Sequence, residues 1–425
     1  MERTGTFRPP INLALLAAYI RKAGHEPRIF HCDASGIIDV NSIVTEVMQN
    51  DPQVVGFSCM TPRIPVSQEI ARVCKEISPQ LITVIGGPHV SGDPESILHL
   101  PSIDYAIIGE GEGALLEFLN KIEMGKDLST IPNLVLRYED KVKVNPARPF
   151  ITDLDQLPLP AWDLLPMELY KDPVMFNGVY TAVISSRGCA WDCNFCASAV
   201  VWKRKVRMRS AENVVKELKR LVDNYNICEF MFYDDTFTAN PKRTIKICEL
   251  IKDEGLQINF RLSLRADTLS NEVVRALKEA GCSVVFLGVE SGDKQILKEI
   301  DKGVTKDQIR RAANILKEEG LPFIASYMIG HPGDTHETIQ ATIDFAKEID
   351  SDQVKFCISE AFPGTRIYEM AKMKGLVSDD PKELSKYTTY QHIGANLSHV
   401  SDEDLKKYQI RAYEEYDLRK RPLVN

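Results

Sequence analysis

Strand-like and helix-like segments alternate along most of this chain. From Tyr180 onward, short apolar runs are separated by amphipathic stretches in which apolar residues recur every three or four positions. In Ala211–Asn224, for example, Val214, Leu218 and Leu221 form one apolar stripe among charged neighbours. The predicted strands of this half are Tyr180–Ser185, Glu229–Tyr233, Gln257–Leu264, Ser283–Val289, Pro322–Ile329 and Gln353–Glu360. The predicted helices are Ala211–Asn224, Pro241–Glu254, Asn271–Ala280, Lys294–Glu319 (broken near Gly303) and Thr335–Ile349. Strands alternating with helices indicate parallel βαβ units, and these are fewer than the eight that close a TIM barrel.

The first 136 residues alternate in the same way and predict a doubly wound, Rossmann-like α/β domain. Glycines follow several of its strands, where they let the backbone approach a ligand closely. Its predicted elements are the helices Ile11–Ala23 and Val66–Ile77 and the strands Pro27–Phe30, Val54–Phe57, Leu81–Ile85 and Asp104–Ile108. We therefore expect a Rossmann-like domain at 1–136, a proline-rich strap at 137–178, a partial (β/α)6 barrel at 179–365 and a helical tail at 366–425.

Composition and charge exclude several classes of protein. The net charge of −8 argues against a general binder of nucleic acids or anionic membranes, which carry a basic field. The chain has no apolar run long enough to span a bilayer and no secretory signal at its start, so a cytoplasmic location is predicted. Seven cysteines lie in apolar or amphipathic contexts and are predicted to be core residues of a protein in a reducing compartment: Cys32, Cys59, Cys74, Cys228, Cys248, Cys282 and Cys357.

Three further cysteines stand on one short segment. Cys189, Cys193 and Cys196 have the spacing C-x3-C-x2-C and directly follow a strand-like run. Iron–sulfur clusters are held by cysteine thiolates, and no fourth cysteine lies nearby, so one iron would stay open to a ligand. The alternative is a zinc knuckle, which needs four protein ligands and usually two paired half-sites. No C-x-x-C or H-x3-H partner pair is present.

Polar residues follow the predicted barrel strands at their carboxyl ends, where barrel enzymes gather their functional groups. They include Asp234-Asp235-Thr236, Arg265, Asp267, Glu290-Ser291 and Gly330-His331-Pro332-Gly333-Asp334. His331 is interpreted as a loop residue, with a proton donor as the alternative. A basic run, Lys203 to Arg209, follows the cysteines. It is read as a solvated loop, with a handle for an anionic substrate group as the alternative.

The cysteine spacing, with the aromatic residue Phe195 directly before Cys196, resembles the radical S-adenosylmethionine (SAM) superfamily. In that family SAM binds the open iron of a 4Fe-4S cluster, and one electron splits it into methionine and a 5′-deoxyadenosyl radical. The resemblance implies an electron donor such as flavodoxin or ferredoxin. It implies SAM contacts from Phe195, Asp234, Asp235, Arg265, Glu290, Ser291, Ile329 and Gly330.

The N-terminal half resembles the cobalamin-binding domain of class B radical SAM enzymes. The motifs that carry the resemblance are Ser58-Cys59-Met60-Thr61, Gly86-Gly87-Pro88-His89 and Gly109-Glu110-Gly111-Glu112. Implied cobalamin contacts are Ser58, Met60, Thr61, Gly86, Gly87, His89, Gly109, Glu110, Gly111 and Glu112. The sequence departs from the family in two ways. Asp33-Ala34-Ser35-Gly36 lacks the histidine of a D-x-H-x-x-G motif, so this motif supplies no axial ligand to cobalt.

The second departure concerns the start of the domain. Related proteins have an apolar strand before the first helix, and the residues before Ile11 contain no apolar run. That strand would lie centrally in the sheet, and without it the neighbouring strands would have unpaired backbone groups. Two alternatives follow: the start of the chain is misassigned, or the domain is degenerate, which leaves corrinoid binding an open question.

Together the two resemblances imply a cobalamin-dependent radical SAM enzyme that methylates an unactivated carbon of a small molecule, natural product or lipid. A radical SAM cyclase or rearrangement enzyme is the alternative within the same class, and a non-catalytic corrinoid or cluster carrier is the alternative outside it. The polar strand ends count against a carrier, which has no need to bind SAM. No nucleic-acid partner and no transmembrane segment are expected.

Overall fold

Two β-sheets account for the alternation that the sequence predicts. The computed structural model describes residues 8–32, 39–138, 141–173, 175–378, 380–388 and 393–417. A five-stranded sheet forms the N-terminal domain and a six-stranded sheet forms the barrel. Single-turn 3-10 helices connect them, among them Leu154–Gln156 and Trp162–Leu164.

The N-terminal sheet is parallel at one edge and antiparallel at the other. Its strands lie in sequence order: β1 (Val54–Ser58), β2 (Ile82–Gly86), β3 (Tyr105–Ile107), β4 (Leu134–Tyr138) and β5 (Lys141–Val144). Strands β1 to β3 are parallel, and β4 and β5 are antiparallel. Its helices are α1 (Ile11–Arg21), α2 (Val40–Met48), α3 (Ile64–Ile77), α4 (Pro88–Gly92) and α5 (Glu112–Glu123). The doubly wound fold class is confirmed, whereas the limits between the domains stay predictions.

The strand predicted at Pro27–Phe30 is wrong. Residues 25–31 form no ladder with any described strand, because β1 is the edge strand on this side of the sheet. Ile29 instead packs against Ala17 and Ala18 of α1. No residue of β1 is buried, in contrast to Thr83, Val84 and Ile85 of β2. Among the described residues, no strand lies on the outer side of β1.

The second sheet is the predicted partial barrel of parallel strands. Its order is β13-β12-β11-β10-β9-β6, so neighbours in space are neighbours in the βαβ sequence. The strands are β6 (Tyr180–Val183), β9 (Glu229–Phe232), β10 (Asn259–Leu264), β11 (Cys282–Glu290), β12 (Phe323–Ile329) and β13 (Gln353–Ile358), with a separate ladder of β7 (Ser186–Arg187) and β8 (Arg207–Met208). The helices are α6 (Ala197–Trp202), α7 (Ala211–Tyr225), α8 (Pro241–Asp253), α9 (Asn271–Glu279), α10 (Lys294–Glu299), α11 (Lys306–Glu319) and α12 (His336–Ile349), followed by the tail helices α13 (Arg366–Met373) and α14 (Asp402–Asp417).

Local signals explain where the barrel helices begin and end. Helix α11 starts at a capping box formed by Thr305 and Gln308, and it stops at Gly320, which has a positive φ of 64°. The apolar faces of the helices pack on the strands in one continuous core. Within it Phe232 meets Phe260 edge to face at 5.6 Å, and Tyr327 stacks on Phe356 at 5.0 Å. No described helix is long and apolar enough to cross a membrane.

The two domains touch through closely packed backbone. Gly92, at the end of α4, faces the loop that follows β13, and a methyl group on Gly92 would lie 2.1 Å from the carbonyl oxygen of Pro363. Tyr368 of α13 also donates a hydrogen bond to Asp93 at 3.1 Å. The carboxyl ends of the barrel strands are therefore held against the N-terminal domain.

We predict that Gly92→Ala destabilises the protein by about 1–3 kcal/mol, because an extra methyl group in a packed contact forces backbone shifts. Urea unfolding measures this change. Gly178→Ala is the matched control, since an added methyl group there meets nothing within 4 Å. Equal stabilities of the two variants would show that the domains do not pack as described.

Candidate functional site

The three cysteines lie on a loop whose base is a small β-ladder. Strand β7 pairs with β8, with Ser186 opposite Met208 and Arg187 opposite Arg207. This ladder closes the segment 188–206, which contains the cysteines and the short helix α6. Because the segment follows β6, it lies at the carboxyl end of the barrel. The cysteines therefore stand among the polar residues that follow the other strands.

The cysteine side chains are partly or fully shielded and close to cationic groups. The Arg265 guanidinium lies 3.9 Å from the sulfur of Cys193, and the Thr236 hydroxyl lies 3.8 Å from that of Cys189. Burial raises the pKa of Cys193, and the charges of Lys302 and Arg265 oppose that increase. Burial also raises the pKa of Cys196 to about 12. A thiolate at Cys196 therefore needs a compensating positive charge such as that of iron.

The donor set suits the expected cluster. The sulfurs of all three cysteines interact electrostatically with one another, and they are the soft ligands that iron–sulfur clusters use. Cys228 is too far away in space to join them. It directly precedes β9 and therefore lies at the opposite end of the barrel. Among the described residues, no three His, Cys, Asp or Glu side chains are arranged around a single metal ion. A cubane, in contrast, holds its thiolates at separate corners.

Two buried cations surround Cys193, and the sequence pattern indicated only one of them. Arg265 donates to Asp267 at 3.0 Å and to the carbonyl oxygen of Lys302 at 2.7 Å. Lys302 is 5% exposed, and its ammonium donates to Glu290 at 2.6 Å. Glu290 has a φ of +68° at the end of β11, a strained conformation for a residue with a side chain. Lys302 follows α10 rather than a strand, so neither periodicity nor the strand-end pattern pointed to it.

The acids after β9 have different surroundings. Asp234 is 3% exposed and accepts hydrogen bonds from the backbone and hydroxyl of Ser185, at 3.1 and 2.7 Å, and from the hydroxyl of Ser186. It therefore connects β9 to the start of the cysteine segment. Asp235 is exposed and accepts from Ser198 of α6 at 2.8 Å. Of the two, Asp235 is the one with an accessible carboxylate.

Aromatic and small residues line the side of the site next to β12. The Phe195 ring lies 5.5 Å from the His331 ring, and Gly330 separates His331 from the buried Ile329. Burial lowers the pKa of His331 to about 3, and neither ring nitrogen has a hydrogen-bond partner among the described residues. Ser291, in contrast, contacts Thr342 at 3.2 Å and accepts from the Asp293 backbone. His331 is therefore a neutral, fully buried ring beside Phe195 whose two nitrogens are not hydrogen-bonded by any described residue.

Glu360 is a buried acid that the sequence did not single out. It follows β13, is 1% exposed and accepts two contacts from the backbone of Gly394, at 3.0 and 3.2 Å. Burial raises the pKa of Glu360 to about 9, so this carboxyl group is protonated at neutral pH. Only the fold brings residues 360 and 394 together.

The predicted cobalamin motifs meet at the carboxyl ends of β1, β2 and β3. His89 is 2% exposed and contacts the Thr61 hydroxyl at 3.2 Å, while its Nε2 has no partner among the described residues. Burial lowers the pKa of His89 to about 4, so its ring is neutral.

The other residues of these motifs lie at the same strand ends. Met60 is exposed, and the Ser58 hydroxyl accepts a hydrogen bond from the Asn12 side chain at 2.6 Å. Gly86, Gly87, Gly109 and Gly111 belong to the same strand ends. Residues 33–36, which lack the histidine of the axial-ligand motif, lie outside the described residues.

Glu110 and Glu112 use their carboxylates to bind the barrel. Arg187 donates to Glu110 and Glu112, each at 2.5 Å, and Arg207 donates to Glu110 at 2.8 Å. All four side chains are less than 10% exposed. Burial alone would lower the pKa of Arg187, but the two carboxylates raise it. Any contact of this loop with a corrinoid would therefore come from its backbone rather than from these carboxylates.

Comparison with known proteins agrees with this architecture. The family model described as the radical SAM superfamily matches residues 183–346, and the model described as the B12 binding domain matches residues 2–119. An uncharacterized methyltransferase of Pyrococcus horikoshii is 37% identical over 422 residues, which are 99% of this chain and 90% of that protein.

A more distant relative and one solved structure extend the comparison. The anaerobic magnesium-protoporphyrin IX monomethyl ester cyclase of Rubrivivax gelatinosus is 28% identical over 368 residues, 85% of this chain and 66% of that protein. The structure of the radical SAM methyltransferase TsrM of Kitasatospora setae, with cobalamin and a 4Fe-4S cluster bound, matches with a TM-score of 0.73 at 19% identity, covering 88% of this chain and 73% of that one. At this identity the likeness is one of fold.

We predict that Glu110→Gln destabilises the protein by about 3–5 kcal/mol, because it leaves Arg207 buried without a carboxylate partner. Urea unfolding gives the change in free energy. The matched control is Glu123→Gln at the exposed end of α5, which we expect to change stability by less than about 0.5 kcal/mol. If both variants are equally stable, the four charges do not hold the domains together.

We predict that Glu360→Gln flattens the dependence of stability on pH. The folded protein keeps the Glu360 proton up to a pKa of about 9, whereas the unfolded chain loses it near pH 4.5. The stability that depends on keeping the Glu360 proton is therefore fully present below pH ~4.5. It is lost as the pH rises toward 9, by up to about 1.4 kcal/mol per pH unit. Denaturation midpoints from pH 6 to 8 should fall for wild type and fall less for the Gln variant. Parallel profiles would show that Glu360 is ionised.

Proposed function

Because the chain belongs to the family of B12-binding radical SAM enzymes, we propose that it transfers a methyl group from cobalamin to an unactivated carbon of a small molecule. The cofactors of this family are a 4Fe-4S cluster, SAM and cobalamin. When bound, they supply a carbon-centred radical and a methyl donor. The protein has to hold both at one substrate.

The observation that carries the proposal is the buried contact between Glu110 and the two arginines that flank the cysteine segment. Glu110 follows β3 of the cobalamin-binding-type domain, and Arg187 lies two residues before Cys189. The loop ends of the two domains are therefore fixed to each other by short ionic contacts. Methyl transfer through a radical needs this proximity, because the donor and the activated carbon must meet in one geometry.

The residues around the cysteines support specific roles in SAM binding. Cys189, Cys193 and Cys196 would hold the cluster. Arg265 and Lys302 would neutralise the carboxylate of SAM, since buried cations close to Cys193 suit an anionic group bound there. Glu290, Asp235, Phe195 and the Ile329–Gly330 backbone remain the proposed contacts to the polar groups and the adenine. Asp234, with its carboxylate already bound by Ser185, is proposed to orient the segment rather than to contact SAM.

A cyclase is the second candidate, and the name of the Rubrivivax gelatinosus relative favours it. A cyclase would use the same radical without transferring a methyl group. The two reactions differ in their by-products, because methyl transfer would take its methyl group from SAM and release S-adenosylhomocysteine. A carrier would produce neither S-adenosylhomocysteine nor 5′-deoxyadenosine.

We predict that the anaerobically reconstituted protein binds iron, sulfide and cobalamin, and forms both 5′-deoxyadenosine and S-adenosylhomocysteine when reduced with SAM. Cys193→Ala should lose the cluster absorbance and the 5′-deoxyadenosine, because the loop would keep only two thiolates. Cys228→Ala, at the other end of the barrel, is the matched control and should keep both. Elemental analysis that finds zinc without iron in oxygen-free material would overturn the proposal. Deoxyadenosine alone would favour the cyclase.

A further inference from the structure

A groove of about 480 Å³ lies between helix α1, helix α7 and the proline-rich strap. Its floor is the apolar segment Leu157–Pro160, and its walls carry the cations Arg21, Lys22, Lys216 and Arg220. The two prolines of the floor offer no backbone donor, so this surface favours an apolar group. Small-molecule sites have volumes of about 300–1,000 Å³ and combine an apolar surface with a few polar groups. Among the described residues, none of the three cysteines lines this groove.

The two carboxylates of the groove are already bound to other groups. Arg21 donates two hydrogen bonds to Asp163, at 2.6 and 3.0 Å, so this cation and this acid neutralise each other. Asp155 accepts a hydrogen bond at 2.9 Å from the backbone of Ser210, the residue that caps α7. Both acids therefore have a structural role in the groove walls.

Three cations of the groove have no such partner. Among the described residues, no carboxylate lies within ion-pair distance of Lys22, Lys216 or Arg220. Lys216 and Arg220 lie four residues apart on α7, where like charges repel each other, and Lys22 follows the last residue of α1. The chain as a whole carries a net charge of −8. This local excess of positive charge therefore favours an anion that contacts more than one of the three.

A neutral donor lines the groove beside these cations. The side-chain oxygen of Asn213 accepts a hydrogen bond from Arg209 at 2.7 Å. The amide nitrogen of Asn213, which is a donor, has no hydrogen-bond partner among the described residues. A phosphate group has three acceptor oxygens and a charge of about −1.5 to −2 at pH 7. It therefore matches three cations and an amide donor better than a carboxylate does.

We propose that this groove binds a small molecule that has a phosphate group at one end and an apolar or planar body at the other. The phosphate would lie among Lys22, Lys216 and Arg220, and the body would lie on the Leu157–Pro160 segment. Such a ligand would contact α1 of the N-terminal domain and α7 of the barrel at the same time. No step of the proposed reaction uses the groove, so its occupancy does not depend on the proposed function.

Calorimetric titration of the reconstituted full-length protein tests the proposal. Adenosine 5′-monophosphate is the first probe, because it joins a phosphate to a planar base, and adenosine is its counterpart without the phosphate. S-adenosylhomocysteine is present in excess, so that the adenine of the probes does not occupy a site for SAM. Inorganic phosphate, titrated separately, measures binding of the anion alone.

Two double variants with the same spacing are compared with wild type. Lys216→Gln/Arg220→Gln removes two cations of the groove, whereas Lys242→Gln/Lys246→Gln removes two exposed cations of α8, outside it. We expect wild type to bind adenosine 5′-monophosphate at least about tenfold more tightly than adenosine, because hydrogen bonds to charged groups are strong enough for this factor. The groove variant should bind the monophosphate at least about tenfold more weakly than wild type, and the α8 variant should bind it as wild type does.

Binding of the monophosphate or of inorganic phosphate that weakens in the groove variant alone supports the proposal. The proposal is overturned if wild type binds neither probe, if the groove variant binds as tightly as wild type, or if both double variants lose the same affinity.

A single substitution keeps the test decisive if the groove variant does not fold. Asn213→Asp retains an acceptor for Arg209 and replaces the amide donor with a negative charge. We expect it to weaken phosphate binding at least about tenfold, because it repels the anion and removes a hydrogen bond. Unchanged phosphate affinity in this variant would overturn the proposal. Loss of methyl transfer with normal phosphate binding would refute the proposed function and leave the groove site intact.

Discussion

The paired charges of Glu110 and the arginines on both sides of the cysteine segment are the constraint on which the rest of the site depends. Arg187 and Arg207 face each other on the β7–β8 ladder, and one carboxylate from the other domain accepts from both. Like charges opposite each other on a ladder would repel, so the ladder needs the Glu110 carboxylate to be stable. The Arg207 guanidinium also lies 4.5 Å from the Phe150 ring. Closure of the loop and docking of the domains therefore depend on the same carboxylate.

The barrel end combines cations with acids that are already hydrogen-bonded. Asp234 is satisfied by serine hydroxyls, and Glu290 is paired with Lys302. Arg265 retains an orientation toward Cys193 although it also binds Asp267. A set of three thiolates is strongly anionic, and buried cations lower the cost of placing it away from water. The buried cations at this end of the barrel therefore suit the negative charge that three thiolates would bring.

The fold and the place of the cysteine segment could largely be predicted from the sequence, because both depend on local rules. Alternating strand and amphipathic helix patterns identified all six barrel strands within a few residues, and Cys189, Cys193 and Cys196 lie on the loop after the first of these strands, as their position in the sequence indicated. The strand at Pro27–Phe30 failed because a β-strand is stabilised by its neighbour, and residue pattern alone does not reveal whether a neighbour exists. Ile29 and Phe30 are apolar, and apolar residues suit a strand and a packed loop equally well.

The sequence by itself determined the chemistry available, namely three thiols on one loop, an aromatic residue before the third, and a ring of polar strand ends. Only the tertiary structure decided the partners. The sequence motif gives no indication that the Glu110 carboxylate pairs with Arg187, 77 residues away. Lys302 and Glu360 carried no local signal, and they acquired roles through Glu290 and Gly394. The physical reason is that burial and ion pairing depend on contacts between distant segments, whereas spacing and periodicity report only on neighbours in the chain.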